Sequence, residues 1–132
     1  MKNSLLITKY IRTILEQDSK LMKMIPIDHF YPVDAKQGTK FPFAVIIRTG
    51  MQDNISKDGI YEDIINISII VVDDNYFGSI EIINEIRNWL EGHRYKNDEI
   101  CITRFQMTST SESFYNNAFL QEITLNVYIQ NV

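Results

Sequence analysis

The stretch NISIIVVDDNYFGSIEIINEIRNWLEG, residues 66–92, limits the fold more than any other part of the chain. Ile65, Ile67, Ile69 and Val71 alternate with Glu62, Asn66 and Ser68, the period of a strand with one apolar face. After the polar turn DDNYFGS, the residues Ile82, Ile83, Ile86, Trp89 and Leu90 recur at helical spacing. Ser79 is the expected N-cap, Glu81 suits the positive end of the helix dipole, and Gly92 is placed to end the helix in a left-handed conformation. A one-sided strand that feeds a one-sided helix requires a helix layer on a sheet.

The flanking segments extend this pattern. Asn3 or Ser4 can cap an N-terminal helix carrying Leu6, Tyr10, Ile14, Leu15, Leu21, Met22 and Ile25, with Asp18-Ser19 its natural breaking point and Pro26 its end. IDHFYP reads as a short extended piece and VDAKQGTK as a loop. FPFAVIIRT is apolar on both alternating faces, the pattern of a central strand, with Pro42 near its start. GMQDNISKDG, bracketed by Gly50 and Gly59, reads as a long hairpin loop before a strand over 60–72. EICITRFQMTS reads as a strand and TSTSESFYNN as a Ser/Thr/Asn-rich loop. FLQEITLNVYIQ closes the chain, with Phe119, Ile123, Leu125, Val127 and Ile129 opposed to Glu122, Thr124, Asn126 and Gln130. The expected fold class is α+β: an antiparallel-rich mixed sheet with two helices packed on one face, forming a single domain over 1–132.

Chemistry is sparse. The formal charge of -4 and the scattered Lys and Arg residues argue against direct nucleic-acid recognition. One cysteine, Cys101, excludes an internal disulfide and suits a reducing compartment. Lys9 and Arg12 make the N-terminal stretch too polar for a signal peptide, and no apolar run approaches the ~20 residues that cross a bilayer, so neither export nor a membrane is expected. His29 and His93 have no companions at metal-ligand spacing, so no metal or cofactor is expected. No G-x-S-x-G elbow or phosphate-cradling glycine loop is present, and Asp73-Asp74 at a strand-to-helix turn reads as capping chemistry. An enzyme is not the expected outcome.

Taken together, the N-terminal helix with IDHFYP, the proline-led strand FPFAVII, the strand EDIINISIIVVDD, the turn and helix YFGSIEIINEIRNWL and the final alternating strand resemble the tail terminator, or tail-completion, proteins of long-tailed bacteriophages and prophages. The resemblance implies a structural protein that caps the tail tube as a homo-oligomeric ring, usually hexameric, and joins the tail to head-completion (neck) proteins. It would assemble in the host bacterial cytoplasm and reside in the virion tail. The ring is expected to close through heterologous contacts. The two polar segments supply the candidate interface residues: Gln52, Asp53, Asn54, Ile55, Lys57 and Asp58 in the first, Ser111, Glu112, Phe114 and Tyr115 in the second. The rival reading is a small α+β ligand- or protein-binding regulatory module.

Overall fold

The computed structural model describes residues 2–36, 38–55 and 61–130, with backbone alone over 53–55 and at 61. The elements, in chain order, are helices α1 (Ile7–Glu16) and α2 (Ser19–Met24), strands β1 (Phe30–Pro32), β2 (Phe43–Ile55) and β3 (Tyr61–Asp73), helix α3 (Tyr76–Glu91), and strands β4 (Tyr95–Lys96), β5 (Cys101–Tyr115) and β6 (Ala118–Gln130). Short 3-10 turns at Ser4–Leu6 and Ile27–His29 precede α1 and β1. The six strands make one sheet in the order β1-β2-β3-β6-β5-β4. Among the described residues, only the β1–β2 pair is parallel. The architecture is α+β, as the alternation of strand and helix patterns predicts.

One face of the sheet carries the core. Ile65, Ile67, Ile69 and Val71 of β3 and Ile123, Leu125, Val127 and Ile129 of β6 are buried beneath Ile7, Ile11, Ile14 and Leu15 of α1 and Ile82, Ile86 and Leu90 of α3. Burying each such side chain removes enough apolar surface to contribute roughly 1.5–3 kcal/mol, which is why period-two strands and a period-3.6 helix select one another. The helix layer has three members. Asp18 divides the N-terminal segment by turning its side chain into the cap of α2, where Oδ1 accepts from the Lys20 and Leu21 amides at 3.1 and 3.3 Å.

Several local expectations are corrected. Neither Asn3 nor Ser4 caps a helix; the first turn is 3-10, and the Ser4 hydroxyl donates to Asp63 Oδ2 at 2.5 Å, tying the N-terminal turn to β3. The N-cap of α3 is Asn75, whose side chain accepts from the Gly78 amide at 3.0 Å. Ser79 lies one turn further on, buried, with its hydroxyl donating to the Tyr76 carbonyl. A Cβ on Gly78 would approach Asp73 Oδ2 to 2.7 Å, so the bare glycine lets this carboxylate fold against the helix start. Gly92 ends the helix with φ −89°, an ordinary conformation. IDHFYP is half 3-10 turn and half strand.

The larger correction concerns the two polar segments, which are strand over most of their length. β2 runs on through Gly50 to Ile55, paired with β3, and residues 56–59 of the expected loop lie outside the described residues. β5 runs to Tyr115, and the connection to β6 is the pair Asn116-Asn117, with φ 51° and 61°. Two consecutive positive φ values match the type I′ hairpin turn, whose twist suits antiparallel strands, and Asn tolerates the left-handed region better than most residues. The register places the β2–β3 hairpin end beside Gln130 and the Asn116-Asn117 turn beside Asp73, at opposite ends of β3. FPFAVIIRT opens β2, which is flanked on both sides at residues 44–46, by β1 and β3, while beyond Ile46 β3 alone pairs with it among the described residues.

Candidate assembly surfaces

The helix-free face of the sheet has two zones. At its middle lies a polar lane. Ser68 donates to Glu122 Oε2 at 2.5 Å, Asn66 to Asn126 Oδ1 at 2.7 Å and Tyr128 to Gln106 Oε1 at 2.9 Å, while Ser109 and Thr124 share a hydrogen bond at 2.5 Å. Asn66 and Asn126, and Ser109 and Thr124, sit opposite one another in the register, while Ser68–Glu122 and Gln106–Tyr128 are diagonal neighbours, so cross-strand contacts satisfy these polar groups without help from a second layer.

Toward the Asp73 end the same face becomes apolar. Phe43, Val45, Ile70, Val72 and Leu120 line a trough of about 660 Å³ whose wall includes Val33, Thr39 and Phe41 from the segment after β1. The Phe41 and Phe43 rings stack at 5.9 Å, and Tyr31 meets Phe43 edge-on at 6.3 Å. The Phe41–Pro42 peptide bond is cis, and the Pro42 carbonyl lies 2.8 Å from His29 Nδ1. The two-sided apolarity of FPFAVIIRT is the sequence signal for this trough, since it places the start of β2, flanked by β1 and β3, between core and trough.

Across the sheet end, on the helix side, an aromatic cluster forms where the first turn of α3 meets the β5–β6 turn. Tyr76 packs edge-on to Phe77 at 5.4 Å and to Phe119 at 5.3 Å, and Phe114 lies 4.8 Å from Phe119. Phe77 is 72% exposed and Phe114 59% exposed, and Tyr115, on the trough side, is 68% exposed. These exposed rings gather at one end of the sheet and form an apolar surface patch there. Glu112 binds the cluster to the sheet: it accepts from the Tyr76 hydroxyl at 3.1 Å and from Gln121 Nε2 at 3.0 Å. The hydrogen bond to Glu112 raises the Tyr76 pKa, with burial adding to the shift. Asp73, beneath the α3 turn, is also raised, first by burial.

The expected interface residues are therefore separated. Ser111, Glu112, Phe114 and Tyr115 belong to the last residues of β5, where Ser111 also donates to Glu122 Oε1 at 3.3 Å. Gln52 is exposed on β2 opposite Ile64. The backbones of Asp53, Asn54 and Ile55 pair with β3, while Lys57 and Asp58 lie outside the described residues. Sequence reasoning missed the exposed Phe41 and Phe77 and the half-buried Phe43 as surface residues, because an apolar residue beside a core strand reads as core.

Among the described residues, no group of three or more His, Cys, Asp or Glu side chains is placed to hold a metal ion, and no helix is long and apolar enough to cross a membrane. His93 packs against Trp89 at 5.0 Å.

No protein-family profile matches the sequence, and no curated protein sequence matches it. The fold does have relatives. A chain in the structure titled "Virion of native gene transfer agent (GTA) particle" superposes with a TM-score of 0.78 over 92% of both chains, at 9% sequence identity. At that identity the fold is what the two chains share.

Proposed function

From these surfaces and that likeness, we propose that the protein is a structural component of a phage-type tail, a tail-completion protein that caps the tube as a homo-oligomeric ring and presents a surface to head-completion proteins. The observation that carries this reading is the full-length fold likeness to a chain of a gene transfer agent virion, which covers nearly all of both chains. The surface chemistry supports it. Exposed rings at Phe77, Phe114 and Tyr115 and the apolar trough are protein-binding features, while the polar lane would present hydroxyl and amide groups and the Glu122 carboxylate to a lumen. The site of action is then the virion tail, with a ring-shaped homo-oligomer, sixfold by the family resemblance, as the active form.

The experiment is to incubate the purified protein with tail tubes from the phage or prophage that encodes it and to image the tube ends. Rings at one end of the tubes support the proposal, and bare ends at saturating protein refute it.

A second reading, a small-ligand or peptide-binding module, draws on the trough, whose volume falls within the range of small-molecule sites. Replacing Val45 and Leu120 by Gln would abolish a ligand-dependent shift in melting temperature under this reading and leave tube capping nearly intact.

A further inference from the structure

The outermost strands are only partly covered. Among the described residues, β2 pairs with β1 over 44–46 and over 47–55 has only β3 as partner; β5 pairs with β4 at 101–102 and over 103–115 has only β6. Each uncovered stretch contains no Lys and no Pro, residues that commonly protect exposed edges. An edge of this kind is a row of backbone donors and acceptors aligned for another strand.

We propose that the ring is closed by pairing the free edge of β5 in one copy with the free edge of β2 in the next, which deepens the tail-completion reading and rests on it. Four observations fit one occupant, a second copy of this chain. First, every copy carries one edge of each kind on opposite sides of the sheet, the condition for a heterologous, closing contact. Second, β2 and β5 run in opposite directions, so rotation about an axis along the strands makes the joint antiparallel without inverting any copy.

Third, the covered parts set the register. β1 and β4 block a level joint, because β1 of the next copy would occupy the place of residues 110–112 of β5. A slide of six residues lifts β1 past Tyr115 and sets Ile47 opposite Tyr115 and Gln52 opposite Ser111. Residues 47–55 then face 107–115, nine against nine, and each stretch contains one register irregularity. An even slide keeps the helix-bearing faces on the same side. With four long strands per copy, about 19 Å of sheet, a slide of roughly 20 Å implies strands tilted about 45° to the ring axis, at the upper end of the 35–45° usual for closed sheets. Fourth, large exposed apolar residues line the two edges: Val33, Phe41 and Met51 on the β2 side, Phe114 and Tyr115 on the β5 side.

The test is a disulfide across the joint. In a Cys101→Ser background, Gln52→Cys and Ser111→Cys lie on opposite edges of one sheet, with β3 and β6 between them, well beyond the ~7 Å Cα separation a disulfide spans. Oxidation of the assembled protein should give a ladder of covalent multimers ending in one closed species, while neither single variant gives more than a dimer. Rings on tail tubes without the ladder would overturn this joint and leave the capping reading standing. Efficient dimers from Ser111→Cys alone would mean that β5 pairs with itself, which also overturns it. A protein that forms no ring in solution or on tubes would overturn both readings.

Discussion

The Trp89 indole N–H donates to the Ile14 carbonyl at 2.8 Å, fastening α3 to the C-terminal turn of α1 across 75 residues of chain. The same carbonyl already accepts from the Gln17 amide at 3.2 Å, so removing the indole leaves no orphaned acceptor. Trp89 is half-buried rather than sealed in the core. Trp89→Phe should therefore cost about 1 kcal/mol, the worth of one hydrogen bond. Trp89→Ala should cost about 2–3 kcal/mol, below the 3–5 kcal/mol of a fully buried ring. Chemical denaturation of the two variants checks both; a cost for Ala no larger than that for Phe would mean that packing of the ring is unimportant.

The carboxyl of Glu85 is held above its usual range, first by proton sharing with Asp18, then by burial and repulsion from the same group, while Lys20, 3.4 Å away, pulls the other way. Asp18 Oδ2 is buried and lacks a donor unless Glu85 supplies a proton. A carboxyl with a raised folded pKa favours the folded state below its unfolded value of 4.5, and that contribution is lost as pH rises toward the folded value. Glu85→Gln should thus gain stability relative to the parent as pH is raised from 4 to 7. A stability difference that does not change with pH would contradict the coupling.

The Asn116-Asn117 turn is a second local test. Both residues are left-handed, so Asn117→Gly should be neutral or slightly stabilising and Asn117→Val should destabilise by about 1–2 kcal/mol. Equal stability of the two variants, read from thermal unfolding, would indicate a different turn.

Phe114 and Tyr115 project from the same turn with most of their surface free. The double variant Phe114→Ser, Tyr115→Ser should keep its unfolding free energy within about 0.5 kcal/mol of the parent, as surface changes do. Its affinity for tail tubes or for neighbouring copies should fall at least tenfold, because exposed aromatics are the usual anchors of such contacts. Unchanged assembly in sedimentation would remove this turn from the interface.

The sequence announced the core well, for a physical reason. Ile65, Ile67, Ile69 and Val71, and the alternation from Ile123 to Ile129, are long periodic patterns that only a one-sided strand satisfies. The polar edges were less legible. Thr108, Ser109, Thr110 and Ser111 have loop-like composition, yet cross-strand hydrogen bonds to Thr124 and Glu122 hold them in β5. Those partners are more than ten residues away, beyond any local pattern. The helix caps misled in the same way: Ser4 and Ser79 have capping chemistry, but tertiary partners claimed Ser4 for Asp63, and Asn75 took the cap of α3. Composition drew attention to Ser111–Tyr115 but placed them in a loop rather than at the end of β5, and the trough depends on Val72 and Leu120 meeting across strands far apart in the chain.

The central claim is that copies of this chain form a ring on a tail tube. Electron microscopy of tail tubes incubated with the purified protein tests it most directly. The account predicts ring-shaped density at one end of each tube and an arrest of further tube growth. Tubes that keep bare ends and continue to lengthen in the presence of excess folded protein would contradict it.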